Sequence, residues 1–219
     1  LVLKTFLHNN SVIDKHWTKK KIESIKNFFP DSKCKVYLMH GSMSDDEIHS
    51  LYKHPQIKSL VSLTHGEGFG LPLFEAAYSG LPIVAPEWSG HLDFLYVPQK
   101  NKKGKSMMKP MFANVDYTLQ PIQNEVVWDG VLIKESMWCY AEEKSYRTKL
   151  RDVYQNHTKY IGMSKKLKTY VNKNFNVEDK YDQFIESVLG ESVKSQDINV
   201  SDLPKISILT SVYNGDEFI

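Results

Sequence analysis

The chain has 219 residues, 41% hydrophobic and 25% charged, with a formal net charge of +2. That length buries one substantial core, or one domain and a piece of another. The near-neutral balance gives no general basis for binding nucleic acid or a membrane surface, and no apolar run approaches the roughly 20 residues of a membrane-spanning helix.

LVLKTF (1–6) is a short apolar run of strand type. It lacks an initiator Met and a signal-peptide pattern, and it reads as the inside of a strand, so the chain is expected to be a piece of a longer protein. Ser11 follows as an N-cap with Asp14 at the capping-box position. Ile13, Trp17, Ile22, Ile25, Phe28 and Phe29 form a helical stripe that stops at Pro30. KVYLMH (35–40) is a second strand. SDDE (44–47) is a stronger capping box opening a short helix whose apolar face is Ile48, Leu51 and Tyr52. SLVSLT (59–64) and PIVAP (82–86) are the third and fourth strands.

Strands that are apolar throughout and alternate with helices predict a parallel sheet covered on both faces. Between the third and fourth strands, Pro72 suits a first helical turn, Gly80 suits the position past a helix end, and Pro82 blocks continuation. The spacing therefore predicts a helix over 71–79 opening directly out of GEGFG. Beyond it, QKNKKGKSMMKP (99–110) carries five lysines and reads as a solvated loop. Residues 111–135 have weak strand character and no clear register. From Glu142 the chain is helical again, with Leu150, Val153 and Tyr154 on one face. A last helix over 177–189 sets Val177, Tyr181, Phe184, Ile185 and Val188 at helical spacing, as a core-facing stripe. Residues 190–204 are polar and linker-like, and the apolar KISILTSVYNGDEFI follows. Cys34 and Cys139 have no CxxC or Cys/His ligand spacing, which predicts reduced, buried thiols in the cytosol. No histidine pair has helical zinc-site spacing, and no metal site is expected.

The chemistry concentrates in THGEGFGLPLFEAAYSGLPIVAP (64–86). In open parallel sheets, ligands sit at the C-terminal ends of strands, where loops enter helices, and this loop is in that place. Gly66, Gly68 and Gly70 allow backbone N–H groups to approach a ligand closely. The helix N-terminus beyond them offers free N–H donors and partial positive charge to a phosphate. Glu67 and Glu75 can accept hydrogen bonds from sugar or ribose hydroxyls. The residues alone also fit a tight structural turn with an exposed Glu67 and with Glu75 compensating the helix dipole.

EGFGLPLFE, followed by GLPIVAP and SGHLD, closely resembles the E-x7-E donor-binding signature of retaining glycosyltransferases of family 4, which adopt the GT-B fold. The resemblance extends over about residues 1–189. HGSMSDDEIHSLYKH resembles the family's base-binding loop and short helix, and NFNVEDKYDQFIESV its closing helix. It implies an α/β, Rossmann-like parallel sheet with helices on both faces, the C-terminal lobe of a GT-B enzyme. That lobe would bind a nucleotide-sugar and serve a hexosyl transfer with retention of configuration. The resemblance makes Glu67 the catalytic-site carboxylate touching the transferred sugar. It makes Gly66, Gly68, Phe69, Gly70 and Leu71 the donor-binding loop, Glu75 the ribose ligand, and Gly41 and Ser42 the residues near the base. It further implies no metal or other cofactor in this lobe and no protein nucleophile. The acceptor would be a glycan, lipid or protein reached with a missing N-terminal lobe, without which residues 1–189 are expected to be inactive.

Some positions depart from the pattern. Asp93 stands where the family often has Glu, and the family's phosphate-gripping Arg and Lys would precede Leu1. Lys4 reads as a strand-end lysine before it reads as their substitute. His65 is open between a sugar neighbour and a structural loop histidine. The segment 97–135 replaces a shorter connection in many relatives. ISILTSVYNGDEFI resembles the first strand and loop of family 2 glycosyltransferases of GT-A fold, which implies that Thr210, Ser211 and Tyr213 (in a truncated second domain, 205–219) approach a nucleotide, with metal-binding carboxylates beyond Ile219. Two alternatives stand beside the transferase: a nucleotide-sugar epimerase of GT-B fold, and a non-catalytic nucleotide- or sugar-binding module. The expected location is cytoplasmic, peripheral to a membrane through missing parts, with no nucleic-acid partner.

Overall fold

In the computed structural model, which describes residues 1–189, strands and helices alternate from the first residues to Pro86. The linker at 190–204 and the segment at 205–219, with Thr210, Ser211 and Tyr213, lie outside the described residues. The chain divides into a unit of Leu1–Leu167 and a second beginning at Lys168. In order, the elements are β1 (Val2–Lys4), α1 (Val12–Asn27), β2 (Tyr37–Met39), α2 (Asp45–Lys53), β3 (Leu60–Val61), α3 (Leu71–Ser79), β4 (Ile83–Pro86) and α4 (Leu92–Leu95). Then come β5 (Tyr96–Lys100), β6 (Ser106–Pro110), β7 (Ala113–Val115), β8 (Tyr117–Pro121), β9 (Met137–Ala141), α5 (Glu143–Gln155), α6 (His157–Asn174) and α7 (Val177–Leu189).

The fold is mixed α/β with small parallel sheets. β1 and β2 pair in parallel, Val2 opposite Tyr37. β3, β4 and β7 form a separate parallel sheet in that spatial order, Leu60 opposite Ile83 and Val84 opposite Ala113. β4 is central and buried at every residue, which is why IVAP is apolar without alternation. Val84, Ala113 and Val115 pack with Val153 of α5 and Tyr160 of α6 into one core cluster. No described helix is long and apolar enough to cross a membrane.

Helix starts follow their caps. The Ser44 side chain accepts from Glu47 N–H at 3.3 Å, and the Glu47 carboxylate accepts from Ser44 N–H at 2.8 Å, the reciprocal box expected for α2. Ser11 Oγ accepts from Asp14 N–H at 3.1 Å, as expected for an N-cap. Asp14, however, does not close a box with Ser11. Its carboxylate is 1% exposed and accepts from Leu7 N–H (3.2 Å), His8 N–H (2.9 Å) and His40 Nε2 (2.9 Å). Burial alone would push that carboxyl upward; the His40 bond and the two amides outweigh it and hold Asp14 below its ordinary value. The inward face of α1 is thus Asp14 and Thr18, whereas Ile13, Trp17, Ile25, Phe28 and Phe29 of the expected stripe are exposed.

Four further expectations are corrected. Residues 99–110 lie largely within an antiparallel hairpin, β5 with β6, in which Pro98 faces Met108. Lysine content hid it because cross-strand pairing does not require apolar residues at a solvated hairpin tip. On α5, Val153 is buried but Tyr154 is 86% exposed, since adjacent helical residues point about 100° apart. Cys139 is buried on β9, and burial pushes its thiol pKa up, whereas Cys34 is exposed. α7 spans the expected residues, with Asn176 Oδ1 accepting from Asp179 N–H at 2.8 Å, but Val177, Tyr181, Phe184 and Val188 are exposed.

Asp152 supplies a pH-dependent tie between α5 and α6. Its carboxylate accepts from the Tyr160 hydroxyl, from Asn156 Nδ2 at 2.6 Å and from Lys159 Nζ at 3.1 Å. Those bonds, Tyr160 first, lower its pKa from 3.8 to about 2. A depressed carboxyl contributes stability above its unfolded value and loses it as pH falls through the folded value. Asp152→Asn should therefore melt below wild type at pH 6, and the gap should close between about pH 4 and pH 2. A gap of constant width in thermal melts across that range would remove the carboxylate's charge from the account.

Candidate functional site

β3 and β4 are parallel neighbours, so the loops leaving their C-terminal ends, 62–70 and 87–91, emerge side by side. They are bonded to each other. Ser89 Oγ–H donates to Glu67 O at 2.7 Å, Glu67 N–H donates to Ser89 Oγ at 3.0 Å, and Gly90 N–H donates to Glu67 O at 3.1 Å. Ser89 has a φ of +90°, the one non-glycine residue described in the left-handed region, and its side chain makes two of the three bonds. A Cβ on Gly90 would lie 2.0 Å from Gly68 O. Ser89 and Gly90 therefore set the course of the Glu67 loop, a role that the string SGHLD did not announce.

The expected donor-loop glycines differ in kind. Gly70 has a φ of +86° and would meet His91 Cβ at 3.0 Å, so the fold itself demands glycine there. A methyl group on Gly68 would meet nothing within 4 Å, and one on Gly66 would make ordinary contact with Ser89 Oγ at 3.6 Å. At those two positions the chain's own packing does not call for glycine. Phe69 is anchored by Phe74 and Phe94, with ring centroids 5.3 and 5.2 Å away. The Glu67 Oε1 atom accepts from Thr64 Oγ1 at 2.9 Å.

Gly70 starts α3 without a side-chain cap, and no acidic residue occupies the first turn. Leu71 and Pro72 there are exposed. The N-terminal amides and the helix dipole are left for an anion. Glu75 is the fifth residue of α3, one turn in, so it does not neutralise that end. It faces α2 instead, where its Oε2 accepts from the Tyr52 hydroxyl at 3.2 Å. Burial and the adjacent carboxylate push the Tyr52 hydroxyl well above its ordinary pKa, which keeps it a donor. A groove of about 440 Å³ lies between α2 and α3, lined by Asp46, Tyr52, Leu71, Phe74, Glu75 and Tyr78 among others. Its carboxylates suit hydroxyl or base N–H donors and disfavour phosphate, so an anion is left to the α3 terminus.

Gly41 and Ser42 follow β2. Gly41 has a φ of +102° and its carbonyl accepts from Lys4 Nζ; Ser42 Oγ accepts from Asn10 Nδ2. Lys4 thus ties β1 to the loop after β2, in keeping with a strand-end lysine. His65 is held by β9: its Nδ1–H donates to Cys139 O at 2.7 Å, its carbonyl accepts from Cys139 N–H at 3.1 Å, and its ring stacks on Trp138 at 4.7 Å. These are structural contacts, and they come from β9, just beyond the 97–135 segment. Asp93 is exposed at the second position of α4. His91 is 1% exposed; its Nε2–H donates to Pro86 O at 2.8 Å while Nδ1 has no partner. Among the described residues no three His, Cys, Asp or Glu side chains form a metal-ligand group.

The sequence pattern therefore located the two carboxylates and the helix mouth, and missed Ser89, Gly90, Tyr52 as a Glu75 partner, and the Trp138 stack. Comparison with known proteins adds no assignment: no family model and no curated protein sequence matches the chain.

Proposed function

We propose that residues 1–189 are the nucleotide-sugar donor-binding lobe of a retaining glycosyltransferase of GT-B architecture, a Rossmann-like lobe that works with an acceptor-binding lobe. The observation that carries the reading is the Gly66–Gly70 loop. It runs from a parallel strand into the uncapped N-terminus of α3, with Glu67 on the loop and Glu75 one turn inside the helix. The diphosphate would take the α3 amides, where partial positive charge stabilises it as it departs. Glu67 would accept from hydroxyls of the transferred sugar. Glu75, whose carboxylate has acceptor capacity beyond the Tyr52 bond, would accept from the ribose. The bond from the sugar C1 to the diphosphate oxygen breaks, the acceptor hydroxyl oxygen bonds to C1 on the same face, and its proton leaves with the phosphate. The transferred group is a hexose in this reading.

The test is calorimetry on the 219-residue chain with UDP, GDP and the corresponding hexose conjugates. One nucleoside diphosphate should bind, and its hexose conjugate should bind as well. Glu67→Gln should weaken the conjugate by roughly tenfold, the worth of a charge-assisted bond, while leaving the diphosphate nearly unchanged. Equal losses for both ligands would reduce Glu67 to a loop-shaping residue, and no binding of any nucleotide would sink the donor-lobe reading.

A further inference from the structure

The hairpin of β5 and β6 carries Lys100, Lys102, Lys103, Lys105 and Lys109, and no Asp or Glu occurs between Asp93 and Asp116. The whole chain has a net charge of +2, so without these five lysines it would be net negative by three. The hairpin is one of two acid-free stretches with five lysines, the other being residues 153–177, and it is the one that sets them beside exposed methionines on a hairpin. All five lysines are exposed, and none of them takes part in an ion pair among the described residues. The tip is also an ordered turn. Asn101 Oδ1 accepts from the N–H groups of Lys103 and Lys105 at 2.9 and 3.0 Å, Asn101 N–H donates to Lys105 O at 2.9 Å, and Gly104 takes a φ of +78°. The lysines are thus presented by a fixed backbone. Beside them Met107 and Met108 are 49% and 54% exposed, and Pro98, paired with Met108, is exposed too.

We propose that this hairpin docks the protein on an anionic phospholipid surface. Uncompensated lysines match the negative potential of the headgroup layer, and attraction there falls off within a Debye length, within which exposed lysines at the surface can reach. Two exposed, unbranched methionines and a proline give the same element apolar atoms to seat at the headgroup–acyl boundary. Nucleic acid fits less well. Residues 99–110 contain no Arg to fork onto phosphate or guanine and no aromatic ring to stack on a base. The inference is independent of the donor-site reading, because neither Glu67 nor Glu75 belongs to the hairpin.

The experiment is co-sedimentation of the full 219-residue chain with phosphatidylcholine vesicles containing 30% phosphatidylserine, and with pure phosphatidylcholine vesicles, at about 0.1 M salt. Binding is expected with the anionic vesicles and should weaken as salt rises. The triple variant Lys102→Gln, Lys103→Gln, Lys105→Gln should lower the partition coefficient by on the order of a hundredfold, about fivefold per lysine. Met107→Ser with Met108→Ser should lower it further at constant charge. The matched control Lys19→Gln, Lys20→Gln, Lys21→Gln alters three exposed lysines on α1 and should change binding much less. Circular dichroism confirms that each variant is folded, and nucleotide affinity should be unaltered in all of them. The proposal is overturned by no binding to anionic vesicles, by equal binding to neutral ones, or by equal loss in the hairpin and α1 variants. Tighter binding to a single-stranded RNA than to vesicles, lost with the same hairpin lysines, would overturn it in favour of a nucleic-acid surface.

Discussion

Gly90→Ala is expected to lower the thermal midpoint more than any other single methyl addition in the loops that form the candidate site. The new Cβ would lie 2.0 Å from Gly68 O and 3.0 Å from Glu67 O, and both obstacles are backbone. A flexible side chain could swing aside; Gly68 O and Glu67 O belong to adjacent peptides, and Glu67 O is held by Ser89 and Gly90, so relieving the clash shifts a backbone fixed by those bonds. Overpacking costs typically 1–3 kcal/mol, and a backbone obstacle puts this case near the upper end, about 3 kcal/mol. For a chain of this size that corresponds to a fall of roughly 6–12 °C in midpoint. Gly68→Ala is the comparison, because a Cβ there meets nothing within 4 Å. It should melt close to wild type yet weaken the hexose-conjugated nucleotide, since only a ligand would occupy that space. Differential scanning calorimetry on the two variants separates the roles. A Gly90→Ala protein that melts with wild type would mean that loops 62–70 and 87–91 do not lie in such close contact.

Glu75→Ala should weaken nucleoside diphosphate binding by roughly ten- to a hundredfold, the equivalent of about 1.5–3 kcal/mol for charge-assisted bonds to the ribose. The alanine also leaves the half-buried Tyr52 hydroxyl without its acceptor, which costs stability in its own right. Glu75→Gln resolves the two effects. Its amide oxygen keeps an acceptor for Tyr52 while removing the charge, so the fold should recover and the affinity should not. Tyr52→Phe gives the converse, with binding affected less than in Glu75→Ala. Calorimetry on the three variants, each with a melting curve, reads both quantities. Undiminished affinity in a folded Glu75→Gln protein would remove Glu75 from the ribose.

Helix positions were legible because their determinants are local. Ser11, the Ser44–Glu47 box, and Pro72 with Gly80 act over a few residues, and helices α1, α2 and α3 start where those side chains put them. Parallel pairing of the early strands was legible, though the expected single sheet is two small ones; only β4, buried at every residue, shows the unalternating apolar run that a doubly covered strand requires. The periodic stripes were a weaker guide. On α1 the apolar residues are at the surface, and Asp14 is buried because two loop amides and His40 need its carboxylate. Periodicity reports which residues share a face and does not report what that face meets.

The same division runs through the candidate site. By itself the sequence determined the order of strand, glycine loop, helix and strand between Leu60 and Pro86 and the two carboxylates in it; that Glu75 lies one turn in and leaves the first turn of α3 without an acid was decided by where the helix starts. Only the tertiary structure decided that Ser89 and Gly90 close over the Glu67 backbone, that Glu75 faces Tyr52 across a groove, and that Trp138 stacks on His65 from 73 positions away in the chain. The β5–β6 hairpin belongs with these, its lysines reading as loop until cross-strand pairing set Lys100, Lys102, Lys103 and Lys105 around one tip and Lys109 opposite Val97 near its base. A cap or a turn is a property of consecutive residues. A clamp between two loops depends on which strands lie side by side, and β4 is placed beside β3 by burial of its apolar residues, which carry no record of the loop that follows them.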